Sequence, residues 1–454
     1  MKRSLFLVLT VVAALAITFS VAFAGGPFSG VTTTADGYPT WDSDMINIEQ
    51  VEETGAGVYV AVLDTGLDPA WAQYFPKERI NTNLGTGFDQ PISFKASNSD
   101  PCGVEASVGQ LHQTSWKGSR GSTHGTHVTS TILGYFYDNI FDDAGGFPMP
   151  PIMVRGIAPD VTIIPVKVLA DYQLPALPKC ESGYAAENVV FGTDEMVAAG
   201  INYVTDLAMA GYRPMVINMS LGGGELADVE KEALDRAIAN GVIVVASAGN
   251  EGEYGMGYPG AYPPVISVGS VGWTKEWLKV NEENPRYRMW WLQSDYYPYR
   301  DIPEVTPTDQ VYVSDFSSRA LPGQELDVLA PGSWVRGPYP GDPGYNHIPW
   351  WSNGIGYFKN GRGSYYLVGG TSMASPHVAA TAALMLQKNP NLTQAEVASI
   401  LKSTTLIISN TDSRYVYDNA AWIDMPWDTD CFGVTCDPVG SGLIQVDAAL
   451  NAVP

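Results

Sequence analysis

Basic residues are scarce in this chain. Its 454 residues hold 25 Lys and Arg against 48 Asp and Glu, a formal net charge of −23. Nucleic-acid binding needs a basic footprint, so this balance argues against that class of partner. Charge of either sign is low at 16%, while hydrophobic residues make up 45%, which suits a packed globular chain rather than a disordered one. Long apolar runs are missing beyond the first two dozen residues, so no later segment is expected to cross a membrane. No internal repeat is visible. Cysteine is limited to Cys102, Cys180, Cys431 and Cys436. The C-x4-C spacing of the last two has no companion pair or histidine nearby, which disfavours a metal site.

What is present begins with a leader. Lys2 and Arg3 precede an apolar run from Leu5 to Phe23 that closes on Ala22-Phe23-Ala24. A charged start, apolar middle and small-residue end are the marks of a secretory signal peptide, expected over residues 1–24. The run is long enough to serve as an uncleaved anchor, but its ending favours cleavage and no stable membrane insertion afterwards. The mature chain is then expected to be secreted, extracellular or in the cell envelope. Four cysteines in an exported chain imply disulfides. Of the three pairings, Cys431–Cys436, close in sequence, and Cys102–Cys180, joining two loops, are the expected ones. Residues 25–45 read as a short extension, loose to about Tyr38, and 46–454 as the main domain.

The main domain alternates strands with helices. Gly57 to Asp64 is a short apolar run ending in an acid, as in a buried parallel strand. His124 to Leu133 is helix-like, and Val161 to Leu169 is another strand. A helix over Thr193 to Ala210, a strand over Met215 to Met219, a helix over Leu226 to Ala239, and strands over Val242 to Ala246 and Val265 to Val271 follow. A last helix from Thr393 to about Ser403 opens on the capping-box sequence TQAE. This order predicts a three-layer α/β fold: a mostly parallel twisted sheet with helices on both faces. Residues 76 to 121 read mostly as loop. Stretches near 135–153, 273–313 and 337–364 read as surface insertions.

The stretch Leu367 to Gln387, LVGGTSMASPHVAATAALMLQ, places Ser372 after two glycines at the opening of an apolar helix. A serine there is ordinarily a cap. It also faces unpaired N–H groups and a positive helix end that could hold a developing oxyanion. Asp64 ends a buried strand, where the active groups of open parallel sheets gather. His124 begins a helix, with Gly125 leaving space beside it. Nucleophilic attack by serine needs such a base and such an orienting acid. His127 and His377 follow catalytic positions on their helices, but no Glu completes an H-E-x-x-H arrangement, so both read as packed histidines.

VAVLDTGLD, HGTHVTS and GTSMASPHVAA, in that order, resemble the three active-site motifs of the subtilisin-like serine proteases. SLGG from Ser220, ASAGNEG from Ala246, DFSSRA and LDVLAPGS add to the likeness, which runs from about Ile46 to Leu450. The resemblance implies Ser372 as nucleophile, His124 as base and Asp64 as its orienter. It implies Asn250 as oxyanion donor. It implies Ser220, Leu221 and Gly222, with Ser247, Ala248 and Gly249, as walls of a substrate pocket whose small floor is Gly257. A small floor leaves room for a large apolar or aromatic side chain before the cleaved bond.

The expected activity is therefore that of a secreted serine endopeptidase, a monomer acting on proteins or peptides. The alternative is a catalytically silent binding protein on the same fold. An esterase of the α/β-hydrolase type is excluded by triad order and by GTSMA, which lacks the second glycine of G-x-S-x-G. The chemistry requires no cofactor. Structural Ca2+ is a possible addition, with Asp138, Asp142 and Asp143 as candidate ligands in an acidic loop. The family's folded pro-domain has no counterpart in the short stretch from Gly25 to Ile46, which is too small for one.

Overall fold

The computed structural model describes residues 27–118, 123–137, 151–178, 180, 183, 185–275, 277–281, 284–288, 302–340, 365–418 and 421–454. The expected signal peptide and the acidic candidates Asp138, Asp142 and Asp143 lie outside the described residues.

Alternation along single strands sets up the architecture, because successive side chains of a strand leave opposite faces of its sheet. In Tyr59–Asp64 (β1), Val60 and Val62 join one buried apolar layer, and Ala61 and Leu63 join the other. Among the described residues, nine strands form the central sheet. Besides β1 they are Thr86–Asp89 (β2), His112–Thr114 (β3), Thr162–Lys167 (β4), Met215–Met219 (β5), Val242–Ser247 (β6), Ile266–Trp273 (β7), Val311–Val313 (β8) and Val328–Pro331 (β9). The order across the sheet is β8-β7-β6-β5-β1-β4-β2-β3, with β9 also pairing β7. All these pairs are parallel except β7–β8 and β2–β3 at the edges.

Helices cover both faces, as the alternating pattern predicts. His124–Leu133 (α1) and Thr371–Lys388 (α4) bury Val128, Ile132, Val378 and Ala382 in one layer. Asp194–Met209 (α2) and Asp228–Ala239 (α3) bury Val197, Ile201, Leu234 and Ala237 in the other. Gly200 of α2 is needed there, since a Cβ would lie 2.5 Å from Val168 Cγ1. Helix α4 is buried nearly all round, which is why its apolar residues show no stripe. The predicted capping box forms at the start of Gln394–Ser403, between Thr393 and Glu396.

Residues 76 to 121 differ from the loop expected of them. They hold β2, β3 and an antiparallel hairpin of Ile92–Ala96 with Val104–Val108. The second hairpin strand is exposed along its whole length, so no buried face imposes an alternation that could be read. Similarly, Gly134–Tyr137 and Ile152–Arg155 form a ladder at the ends of the 135–153 stretch. The stretch 273–313 begins in β7 and ends in β8, both buried. Val335–Pro338 pairs with Tyr365–Val368, so the 337–364 stretch also starts in sheet.

At the amino-terminal side, Trp41–Asp44 is a buried helical turn, with Trp41 in the apolar layer beside α4. Both expected disulfides form: Cys102–Cys180 with Cα atoms 4.8 Å apart, and Cys431–Cys436 at 5.8 Å. Among the described residues no helix is long and apolar enough to cross a membrane.

Candidate active site

The carboxyl ends of the central strands and the starts of two helices meet at one rim. Asp64 is the last residue of β1 and is fully buried. The backbone N–H of Thr65 donates to Asp64 Oδ1 at 2.6 Å. His124 is the first residue of α1, and its Nδ1–H faces both Asp64 oxygens at 2.9 Å. That contact fixes the tautomer and leaves Nε2 toward the cleft. Gly125 allows the approach, because a Cβ there would lie 2.5 Å from the Gly66 carbonyl oxygen and 3.1 Å from Asp64. Burial pulls the His124 pKa down, but the charge and hydrogen bond of Asp64 outweigh it, and the net movement is upward from 6.5.

Ser372 lies at the second position of α4, after Gly370, whose positive φ of 158° a residue with a side chain rarely adopts. Its hydroxyl donates to the Ser220 carbonyl at 3.2 Å, and no hydrogen bond joins it to His124. In empty serine–histidine sites this bond is commonly long and tightens only with substrate. Ser220 ties the two residues to one place. Its hydroxyl donates to the Ser372 carbonyl at 2.7 Å, and it lines the same cavity as His124. Behind it, Asn218 Nδ2 donates to Ser220 Oγ at 3.0 Å, and Asn218 Oδ1 accepts from Ser375 Oγ at 2.8 Å. This buried chain locks β5 to the start of α4.

Asn250 is aimed by a similar contact. The Thr371 N–H donates to Asn250 Oδ1 at 2.9 Å, and the Thr371 hydroxyl lies 3.1 Å from the same oxygen. A backbone N–H only donates, so the amide oxygen must face it and Nδ2 is left as a donor toward the exposed side.

The pocket-forming residues expected from sequence also assemble. Leu221, Gly222, Ser247, Gly249, Asn250, Gly257 and Ser372 line one cavity of about 430 Å³. Ala248 is fully buried behind it, and its backbone N–H and carbonyl bond to Val268 and Gly257. Gly223 and Tyr258 exchange backbone hydrogen bonds of 2.8 and 3.1 Å, which closes the wall. A Cβ on Gly257 would sit 3.0 Å from the Gly223 oxygen, so the missing side chain leaves that space open.

A second cavity, of about 380 Å³, lies along the same Ser220–Gly224 segment, with His124 and Thr65 on one wall. Several of its residues were not singled out from the sequence: Val190, Phe191, Asp194, Glu230 and Tyr339. Val190 and Phe191 belong to a hairpin of Ala170–Leu174 with Glu187–Phe191. Tyr339 is buried, its phenol pushed up by burial, and packs edge-on against the His127 ring. His127 is buried, contacts the Val335 carbonyl at 3.1 Å, and burial pushes it down to about 3, so it stays neutral. His377 is bonded at both nitrogens, to the Met373 carbonyl and to Asp42 Oδ2. Among the described residues no group of three or more His, Cys, Asp or Glu could hold a metal ion.

The fold and the rim define an α/β protein with an Asp–His pair and a serine gathered at strand ends and helix starts. A family model described as the Subtilase family matches residues 55–421, and the chain belongs to that family. It is 29% identical to Subtilisin E of Bacillus subtilis (strain 168) over 361 residues, which cover 79% of this chain and 62% of that protein. It is 28% identical to Subtilisin DY of Bacillus licheniformis over 421 residues, covering 92% and 98%. The solved structure of Sphericase superposes with a TM-score of 0.50 at 23% identity, covering 90% of this chain and 98% of that one, a likeness of fold.

Proposed function

We propose that this chain is a secreted serine endopeptidase that cleaves peptide bonds through an acyl-enzyme. The observation that carries the reading is the Asp64–His124 contact, 2.9 Å to both carboxylate oxygens, at a rim that also holds Ser372. Family membership supports it independently.

In this mechanism a substrate strand pairs with the open backbone of Ser220 to Gly222, its side chain before the scissile bond entering the Gly257 cavity. His124 Nε2 takes the Ser372 proton as the hydroxyl leaves the Ser220 carbonyl and attacks the substrate carbonyl. Asp64 holds the ring and stabilises its charged form. The oxyanion is held by the Ser372 backbone N–H and Asn250 Nδ2. His124 returns the proton to the leaving amine, and water then hydrolyses the ester by the reverse path. The glycine-lined cavity suits a large apolar side chain. No cofactor takes part, structural Ca2+ is a separate question of stability, and the working unit is a monomer acting outside the cell.

Labelling with a fluorophosphonate tests the reading. The full chain becomes labelled on Ser372, and a Ser372→Ala variant does not. Absence of labelling in the folded wild type would instead mean a catalytically silent binding protein.

A further inference from the structure

The cavity beside His124 contains a carboxyl oxygen with no hydrogen-bond partner. Glu230 lies in the first turn of α3, is 5% exposed and lines the cavity. Its Oε1 is sealed from solvent and has no hydrogen-bond partner. A glutamate in the first turn commonly reaches back to its helix cap. Here the cap is Ala227, with no side-chain cap bond, and that task is not performed. Burial and the nearby Asp194 push Glu230 up to about 7. A buried carboxyl left unpaired in this way is costly to the free protein.

The surroundings indicate what would pair it. Asp194 and Glu225 stand exposed at the mouth, and no lysine or arginine lines the cavity. Leu169, Phe191, Val197 and Leu221 supply apolar lining to the same cavity as the carboxylate. An apolar lining that includes a carboxylate complements an alkyl stem that ends in a cation, the shape of lysine and arginine. We propose that Glu230 is a specificity-determining residue that receives a lysine or arginine side chain of the substrate, upstream of the scissile bond. The subsite rests on the endopeptidase reading given above.

Strand alternation fixes the position. Side chains of an extended substrate leave opposite faces in turn, at about 3.3 Å per residue. If the first residue before the scissile bond fills the Gly257 cavity, the second faces His124. The fourth, on the same side as the second and about 6.6 Å further along, reaches the Glu230 end.

The test compares matched peptides that differ only in lysine or leucine at that fourth position. The ratio of their kcat/KM values cancels whatever titration of His124 does to both. The other titratable groups facing the cavity are Asp194, Glu225, Tyr258 and Tyr339. The wild type is expected to favour lysine by about tenfold at pH 8.5, with the ratio falling as pH drops below about 7 and Glu230 becomes neutral. In Glu230→Gln the ratio approaches one and loses its pH dependence, and in Glu230→Leu it inverts. An equal ratio in wild type and Glu230→Gln, or a wild-type preference for leucine, overturns the proposal. Calorimetric binding of the same peptides to Ser372→Ala needs no turnover. Charge-selective binding without any hydrolysis would sink the endopeptidase reading alone. Hydrolysis without charge selectivity would sink the subsite alone.

Discussion

Asp64, bonded to His124 on the wall of one cavity, and Glu230, which lines that cavity, are both buried carboxylates, and they are treated in opposite ways. Asp64 accepts from Thr65 N–H and from both sides of the His124 Nδ1 contact. Glu230 accepts nothing through Oε1. The first is a carboxylate whose partners are built into the chain, and it holds another residue still. The second is left short of a partner, so it leans toward its neutral form and gains on meeting a cation. A satisfied group therefore points to internal architecture, and an unsatisfied one in a cavity points to something that arrives.

The sharpest way to break this contrast is to remove the charge at each place without changing shape. Asp64→Asn keeps the volume but offers an N–H where His124 needs an acceptor, so the ring loses its tautomer and orientation. Turnover of a peptide substrate should fall by about four orders of magnitude, the size typical of such triads. A loss below tenfold, measured as kcat on folded protein, would mean that Asp64 does not orient a working base.

The same change at Glu230 acts on stability, and its sign depends on pH. A carboxyl raised from 4.5 to about 7 in the folded state binds more protons folded than unfolded between those values, so stability declines as pH rises through that window. Above it the full penalty applies, on the order of 3 kcal/mol as an upper figure. Glu230→Gln should therefore unfold at higher urea concentration than wild type at pH 8, and at nearly the same concentration at pH 4. A variant no more stable at pH 8 would show that Glu230 has a partner in solution.

These two acids also mark what the sequence reveals and what it conceals. Asp64 was legible because it closes an apolar strand run and sits inside VAVLDTGLD. Ser372 and His124 were legible because glycines and helix starts surround them. The strands and helices of the sheet were legible for the same reason: both faces are buried, so the pattern is unbroken. Glu230 looks, in sequence, like an acid placed in a helix's first turn to complement its dipole. Only the cavity shows that it does something else. Tyr339 and Phe191 were hidden because they come from elements that cross from other parts of the chain. The exposed hairpin over 92–108 was hidden because nothing buries one of its faces. The reading of Trp41–Asp44 as part of a short extension gave no hint of its packing against α4, since four residues carry no period.

The smallest effect separates the two carboxylates by pH alone. A histidine base works only when neutral, so under the proposed mechanism kcat/KM on a leucine-containing peptide should fall as pH drops through the His124 pKa, which lies above 6.5. Burial lowers it, and the charge and hydrogen bond of Asp64 raise it. In Asp64→Asn the residual activity should therefore lose its acid limb toward lower pH. Glu230 makes no hydrogen bond to His124, whose Nδ1 is held by Asp64, so in Glu230→Gln the limb should stay in place. Stability runs the other way. A histidine raised in the folded state stabilises it fully below the unfolded pKa and loses that contribution as pH rises through the folded value. Wild-type protein should thus give up a little stability over the same interval in which it gains activity, and Asp64→Asn should show neither change there. A limb that moves in Glu230→Gln but not in Asp64→Asn would reverse the roles assigned to the two acids.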